Sequence, residues 1–287
     1  MPAGHPLGDY LRARRALLQP ADVGLDAGPG HRRVDGLRRS EVAQIAGIST
    51  EYYVKLEQGQ ETRPTDQVVE ALSRALRLDV NATIYLHALA RMGPSPAAGL
   101  PTTAVERTRW LIDSWPMTPA LILDRHFDIV AMNHVMSRLI DSYRVGLNVT
   151  VVLLTRPAMR QLYTEWEALS ARTIGLFRAR VGPHPDDPRT QELIDEMTRD
   201  SARFRDLWNR HDIAGMSEGA HAMRHPVEGV LTLHYQHLPL IGSDDHTIFV
   251  YYAAPGSSSE ATLARIAALD EGGSPATSQD AGTRDPD

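Results

Sequence analysis

Side chains able to hydrogen-bond to phosphates and to the edges of DNA bases are concentrated between residues 38 and 63. They are the guanidinium groups of Arg38, Arg39 and Arg63, the hydroxyls of Ser49, Thr50 and Tyr52, the carboxylate of Glu51 and the ammonium of Lys55. Arginine binds phosphate oxygens, glutamate can accept a hydrogen bond from cytosine, and lysine can donate one to guanine. Contact with DNA through these groups requires a helix that presents them on one exposed face.

The run RSEVAQIAGISTEYYVKLEQ, residues 39–58, can supply that helix. We expect Val42 and Ile45 to face inward on a first helix, and Gly47 to make the turn, where a positive φ is required. Ser49 then caps a second helix, whose first-turn side chains stay outside. This is the helix-turn-helix arrangement, in which the second helix enters the major groove of DNA. A plain helical hairpin with the same spacing is the alternative.

Short helices surround this motif, according to the spacing of the apolar residues. We expect five helices between about residues 6 and 90, with a loop rich in glycine and proline at 19–36. Residues 93–103, GPSPAAGLPTT, have the composition of a linker. The pattern therefore predicts a helical domain over 1–92, a linker, and a second domain over 104–270.

The second half combines strands with helices. We expect two strands, then helices over 133–210, then three more strands. The strand patterns lie at 120–123, 127–132, 221–225, 230–235 and 247–253. One antiparallel sheet with helices on a face would enclose an apolar space that suits a small ligand. The tail, 271–287, lacks large apolar residues and is expected to be disordered.

Large apolar residues of the second half are the candidates for lining such a space. They are Leu121, Leu123, Ile129, Met132, Met159, Leu162, Trp166, Phe204, Trp208, Leu233 and Val250. Each of them would serve equally well as ordinary core. The pattern alone therefore assigns none of them to a ligand.

Longer stretches of the chain resemble the Cro/C1-type (xenobiotic-response-element) helix-turn-helix regulators, and more closely their MmyB-like branch. The specific part of the resemblance is LGDYLRARRALL together with VDGLRRSEVAQIAGISTEYYVKLEQGQETRPTDQVVEALSRALRL. Weaker motifs follow in the order of the family: TPALILDRHFDIVAMN, LYTEWEALS, HPDDPR, FRDLWNRHDI, RHPVEGVLTLHY and VYYAAPGS. The resemblance covers roughly residues 7 to 265. It implies a mainly α fold of two domains, a five-helix lambda-repressor-like DNA-binding domain and an α+β PAS-like domain with an antiparallel sheet.

The resemblance also implies roles for single residues and for the second domain. Arg39 and Arg63 would contact phosphates, and the residues that face the groove would be Thr50, Glu51, Tyr52 and Lys55. The position of Lys55 is often arginine in the family, which leaves its base preference open. The second domain would sense a fatty acid or another hydrophobic metabolite, and the chain would bind double-stranded operator DNA as a homodimer. The rival interpretation is a second domain that binds a protein partner or only dimerises.

Composition and charge exclude several classes of protein. The net charge is −6, and residues 1–65 carry nine basic and eight acidic side chains. A broad coat on nucleic acid needs more basic surface than this, so DNA contact must be local. The chain has no cysteine, which excludes disulfides and thiolate sites and fits a reducing cytoplasm, the expected location. We find no apolar run of about 20 residues for a membrane span, and the N-terminus lacks the apolar segment of a signal peptide.

Motifs for metal binding or catalysis are missing from the sequence. Four histidines, His221, His225, His234 and His237, lie in a stretch rich in strand patterns, but there is no His-Glu-x-x-His and no cysteine. A nucleophile elbow, a Walker A loop and a dinucleotide fingerprint are absent too. We therefore expect neither a metal site nor an enzyme, and a metabolite-modifying enzyme with a DNA-binding module is the third alternative.

Overall fold

Each half of the chain builds its own hydrophobic core. The structure, a computed structural model, describes residues 5–25, 36–61, 63–91, 102–216, 218–240 and 246–269. Most of the predicted linker and the whole of the predicted disordered tail lie outside these ranges. No helix in the described part of the chain is long and apolar enough to cross a membrane.

The first half is helical, as predicted. Within the described residues its α-helices are α1 (Pro6–Ala16), α2 (Arg39–Ala46), α3 (Thr50–Glu57), α4 (Asp66–Ala75) and α5 (Val80–Ala90). Side-chain caps set several of their limits, since Thr65 accepts a hydrogen bond from the main-chain N–H of Val68 and Asp79 accepts one from that of Ala82. Gly47, with a φ of 68°, ends α2 in the left-handed conformation that favours glycine.

The second half adds helices to a single sheet. Its elements, over the residues that the structure describes, are α6 (Thr102–Asp113), β1 (Ala120–Leu123), β2 (Ile129–Met132), α7 (His134–Leu139), α8 (Val149–Thr155), α9 (Pro157–Leu162), α10 (Trp166–Val181), α11 (Pro188–Asp200), α12 (Ala202–Asn209), β3 (Gly219–His225), β4 (Gly229–Pro239), β5 (Thr247–Tyr252) and α13 (Ser258–Ala268). The strand order is β2-β1-β5-β4-β3, and every neighbouring pair is antiparallel. The predicted antiparallel sheet is confirmed.

The two faces of this sheet pack against different helices. One face meets the helical layer in the large core, to which β1 contributes Leu121 and β4 contributes Leu233. On the other face, Ile112 of α6 packs with Ile122 and Val250 in a separate, smaller core. Because side chains alternate along a strand, successive residues of β1 serve these two cores in turn.

The strand β2 starts later than predicted. The prediction placed it from residue 127, but Phe127 has a φ of 69° and lies in the turn between β1 and β2. A left-handed backbone cannot continue a strand. The strand therefore begins at Ile129, and Phe127 directs a buried ring into the core.

Candidate functional site

The helix α3 presents polar side chains on an exposed face. The hydroxyl of Ser49 accepts a hydrogen bond from the main-chain N–H of Tyr52 at 3.1 Å and caps the helix. Thr50, Glu51 and Lys55 are exposed, whereas Tyr52 is half-buried and packs against the core of the first half. Of the four residues expected to face the groove, three thus lie fully on the open side of α3 and Tyr52 lies at its edge.

A buried carboxylate ties α3 to two other helices. Glu57 Oε1 lies 2.6 Å from the Nε of Arg15 on α1, and Glu57 Oε2 lies 2.7 Å from the Nε of Arg39 on α2. Burial alone would raise the pKa of Glu57, but the hydrogen bonds from both arginines outweigh it, so the pKa is lowered and the carboxylate stays ionised. The sequence prediction missed this cluster, although a glutamate beside Tyr53 and Leu56 on the inward face of α3 was a signal for it.

The residue Arg39 therefore has a structural partner as well as an exposed surface. Its side chain is 45% exposed, so the guanidinium can still meet a phosphate while Glu57 fixes its position. Arg38 and Arg63 are exposed too, Arg38 at the N-cap of α2 and Arg63 in the connection between α3 and α4. The two predicted phosphate contacts, Arg39 and Arg63, are thus accessible from solvent, as is the third predicted DNA-binding arginine, Arg38.

A shallow depression lies between the N-terminal ends of α2 and α3. Its lining consists of Arg15, Arg38, Arg39, Ser40, Thr50 and Val54. The lining thus includes three arginines and two residues with hydroxyl groups. Arg15 is committed to Glu57 and to the carbonyl of Leu37, so Arg38 and the exposed part of Arg39 are the groups that suit a phosphate. Ser40 and Val54 were not among the predicted contacts. Val54 follows Thr50 by one helical turn, and this spacing is the signal that could have identified it.

The prediction that Ile45 faces inward is wrong. Its side chain is 39% exposed, and the buried stripe of α2 is formed by Val42, Ala43 and Ala46. Ile45 lies to the side of this stripe because the helix turns by about 100° per residue. Ile48, in the turn between α2 and α3, packs against the core instead.

A cavity of about 70 Å³ lies in the second half, between the sheet and the helices. Its lining consists of Leu121, Leu123, Phe127, Tyr143, Val149, Leu153, Tyr163, Leu169, Arg172, Thr173, Leu176, His221, Tyr235, His237, Phe249 and Tyr251. Leu121 and Leu123 were among the predicted lining residues. Eight other predicted residues belong to the same core without lining this cavity: Ile129, Met132, Met159, Leu162, Trp166, Phe204, Trp208 and Leu233. Val250 lies on the opposite face of the sheet.

One strong cation faces this cavity. The guanidinium carbon of Arg172 lies 5.3 Å from the centre of the Tyr235 ring, and His221 stacks on the same ring with centres 4.4 Å apart. Burial, helped by the charge of Arg172, lowers the pKa of His221 and of His237 to about 4, so both imidazoles are neutral at pH 7. None of the lining residues is acidic. The wall therefore offers a guanidinium and neutral hydrogen-bonding groups in otherwise apolar surroundings.

Ion pairs hold the turn that delivers Phe127 to the cavity. His126 lies between two carboxylates, with Nδ1 3.4 Å from Asp124 Oδ2 and Nε2 3.1 Å from Asp187 Oδ1. Asp128 receives two hydrogen bonds of 2.9 Å from Arg189. Burial acts to lower the pKa of His126, but the hydrogen bond with Asp124 and the charges of Asp124 and Asp187 outweigh it, and the pKa is raised.

The groups that could ligate a metal already have protein partners. Asp124, His126 and Asp128 bring potential ligand atoms within 4.8 Å of one another, but these atoms take part in the ion pairs and hydrogen bonds of the turn. Two of the four histidines in the strand-rich stretch line the cavity. Of the other two, His225 pairs through Nε2 with the carbonyl oxygen of Arg138 at 3.0 Å, and His234 stacks on Tyr252. The four histidines thus do not form one ligand set.

Comparisons with known proteins match both halves of the chain. Residues 6–83 match a helix-turn-helix domain, and residues 104–266 match the MmyB-like transcription regulator ligand binding domain. A comparison with curated proteins finds no match. Both matched families are domains of transcription regulators, and the larger match spans more than half of the chain. With its DNA-binding motif in the first half and this ligand-binding domain in the second, the chain belongs to the MmyB-like family of DNA-binding transcription regulators.

Proposed function

We propose that this regulator binds a specific operator through α3 and that its second domain senses a small apolar acid, of which a fatty acid is the simplest example. The observation that carries the proposal is the cavity, which is apolar except for Arg172, two neutral histidines and hydroxyl groups. The half-buried guanidinium of Arg172 gives the cavity wall a positive charge that attracts a carboxylate, and the aromatic and aliphatic walls suit a hydrocarbon chain.

Base reading is assigned to the exposed face of α3. Thr50, Glu51 and Lys55 reach the base edges, and the half-buried Tyr52 contacts the flank of the site. Arg38, Arg39 and Arg63 hold phosphates on either side, while Ser49 fixes the start of the helix. A single helix-turn-helix touches few bases, so we propose a homodimer on two half-sites about one DNA turn apart.

The role of Arg172 in ligand binding can be tested by comparing a charged with an uncharged probe. Dodecanoate and dodecanol share one hydrocarbon chain, but only dodecanoate can pair with Arg172. We expect calorimetry to show tighter binding of dodecanoate to the wild type, and Arg172→Gln to remove this preference without abolishing binding of dodecanol. Arg199→Gln is the matched control, because Arg199 is an exposed arginine of α11 that does not line the cavity.

Three results would separate the proposal from its rivals. Mass spectrometry of small molecules released from the purified protein should reveal a stoichiometric apolar acid. Failure of both probes to bind, together with an empty purified protein, would favour a domain that binds a protein partner or only dimerises. Chemical conversion of a bound compound would instead favour an enzyme.

A further inference from the structure

The two domains touch through a small set of described residues around α5. The backbone at Gly182, just after α10, approaches the Tyr85 hydroxyl so closely that an added β-carbon would overlap it. An added β-carbon at Gly215 would likewise overlap the side chain of Asn81. Ile213 packs against the core of the first domain. The segment that follows α12 and the end of α10 therefore form the C-terminal side of the contact.

A buried cation lies at this boundary. Arg178 of α10 is 6% exposed, its guanidinium carbon lies 3.6 Å from the centre of the Trp208 ring, and its Nη2 donates to the carbonyl oxygen of Trp208. Burial lowers the pKa of Arg178 to about 10, and the nearby Tyr85 and Asp212 oppose this shift, so the group keeps its charge at pH 7. Asp212 also lies 3.6 Å from Arg14 of α1. The boundary is thus held by charge as well as by packing.

One stripe of α10 runs from the ligand cavity to this boundary. Arg172, Thr173 and Leu176 line the cavity. Leu176 also lines a second cavity, of about 220 Å³, whose walls include Asn81 and Tyr85 of α5, Ala179 and Arg180 of α10, and Ile213 and Gly215 after α12. Spacings of three and four residues place these positions of α10 on one helical face. Leu176 is therefore a wall shared by the ligand cavity and the space between the domains.

The size of the ligand cavity makes this shared wall significant. At about 70 Å³ it lies far below the roughly 300–1,000 Å³ of typical small-molecule sites, so a hydrocarbon chain cannot enter unless a wall moves. Most lining residues pack directly against the close-packed core, so they cannot be displaced without disturbing that packing. Leu176 has free volume behind it. The wall that yields at the lowest cost is the one that faces the DNA-binding domain.

We propose that filling the ligand cavity displaces Leu176 and the adjoining turn of α10 into the space between the domains, and so releases the contact with α5. The ligand controls DNA binding by freeing the DNA-binding domain from this docked arrangement. The inference rests on the proposed ligand site, but it concerns the route of the signal rather than the nature of the ligand.

An engineered disulfide measures docking directly. The chain has no cysteine, so Asn81→Cys with Gly215→Cys introduces the only pair. An added β-carbon at Gly215 would lie 2.3 Å from the Cγ of Asn81, which is bonded to the Asn81 β-carbon, so the two β-carbons are close enough for a disulfide. The rate of oxidation in the full-length double variant then reports how much of the time the domains are docked. We expect saturating dodecanoate to slow this oxidation at least fivefold, the lower end of typical allosteric coupling.

A larger side chain that fills the cavity should weaken the docking of the two domains even without a ligand. Val149→Phe places extra volume inside the cavity, and Val230→Phe places the same change on an exposed position of β4. We expect slower oxidation with Val149→Phe and an unchanged rate with Val230→Phe. Leu153→Phe is a second filling variant in case Val149→Phe does not fold, with folding checked by circular dichroism.

The outcomes separate the two proposals. If dodecanoate does not bind but a folded filling variant slows oxidation, the route through α10 stands and the ligand class is wrong. If dodecanoate binds and neither the ligand nor a folded filling variant changes the rate, the route through α10 is overturned while the ligand site stands. Equal rates in all states, without binding, would overturn both.

Discussion

Glu57 is the side chain on which the position of α3 depends. It is the common partner of Arg15 from α1 and Arg39 from α2, and Arg15 also donates to the carbonyl oxygen of Leu37 just before α2. Arg12 of α1 donates to the main-chain carbonyl of Glu57 as well. These bonds fix α3, which carries the proposed base-reading residues, relative to Arg39, a proposed phosphate contact.

Replacement of Glu57 by glutamine should destabilise the DNA-binding domain by about 3 kcal/mol near neutral pH, because it leaves the guanidinium of Arg15 buried with its charge uncompensated. The lowered pKa of Glu57 means that its contribution is present above the ordinary pKa of a glutamate and is lost as the pH falls through the lowered value. The difference in the free energy of unfolding between the wild type and Glu57→Gln should therefore become smaller at acid pH.

Urea unfolding followed by far-ultraviolet circular dichroism checks this prediction. The four tryptophans, Trp110, Trp115, Trp166 and Trp208, all belong to the second half, so their fluorescence reports the other domain and should stay nearly unchanged. Glu51→Gln is the matched control, an exposed glutamate of the same helix, and should cost less than about 0.5 kcal/mol. Equal stabilities of Glu57→Gln and Glu51→Gln would contradict the structural role of Glu57.

Binding measurements should distinguish a residue that reads a base from a residue that contacts a phosphate. On an operator selected from random sequences, Glu51→Ala should cost about 1–3 kcal/mol and relax the preference at one position. Arg63→Ala should weaken binding to the operator and to scrambled DNA alike, and lower the slope of log affinity against log salt by about one. Titrations of both DNAs at two salt concentrations provide the test. Equal losses for both variants on both DNAs would show that the roles are not divided.

At the scale of elements, the turn between β1 and β2 matters most for the proposed ligand site. It places the ring of Phe127 in the cavity wall with a backbone conformation that costs free energy for a residue other than glycine. The ion pairs among Asp124, His126 and Asp187 compensate for that cost and connect the turn to the start of α11. The cavity wall is therefore sensitive to the charge of one imidazole.

The stability of the second domain should decline as the pH rises through the raised pKa of His126. A histidine with a raised pKa stabilises the folded state fully below its ordinary pKa of about 6.5 and loses this effect at higher pH. The lowered pKa values of Asp124 and Asp187 act at the acid end, where their contribution is lost as the pH falls below the ordinary range of aspartate.

Urea unfolding followed by tryptophan fluorescence at about pH 6 and about pH 9 tests the role of this histidine. We expect His126→Gln to have a lower free energy of unfolding than the wild type at the lower pH. Its stability should also decline much less than that of the wild type between the lower and the higher pH. His134→Gln, at an exposed position of α7, should keep the wild-type profile. A profile for His126→Gln that parallels the wild type would assign the pH dependence to other groups.

Local sequence signals predicted the elements well, because the physics that sets them is local. Ser49 caps α3 as predicted, and side chains of the same kind, Thr65, Asp79 and Asn133, cap α4, α5 and α7. Strand alternation located the five-stranded sheet. The error at Phe127 arose because an alternating pattern does not report a left-handed residue.

Features that depend on residues far apart in the sequence could not be predicted from local sequence patterns. Glu57 meets Arg15 across 42 residues of chain, and no local pattern links the two. The cavity was located only roughly, because core and cavity lining share one composition and the void is decided by how several elements pack. Val250, for example, is as apolar as Leu121 but lies on the other face of the sheet.

At the scale of the whole molecule, the chain joins a DNA-binding domain and a ligand-binding domain, each with a core of its own. A fragment of residues 1–92 retains every residue of the proposed DNA-contacting face. We expect this fragment to bind the selected operator, more weakly if the second domain supplies the dimer contact, and to show no response to dodecanoate. A response equal to that of the full chain would place the effector site in the first domain.

The proposal that the cavity controls DNA binding is tested most directly by the operator affinity of the full-length protein with and without dodecanoate. Fluorescence anisotropy of labelled operator gives this affinity, with saturation of the ligand site established by calorimetry. We predict a change in Kd of at least about fivefold in the wild type, since typical allosteric coupling is 1–3 kcal/mol. With Arg172→Gln the same dodecanoate concentration should produce a smaller change. An unchanged Kd in the wild type at demonstrated saturation would contradict the proposal.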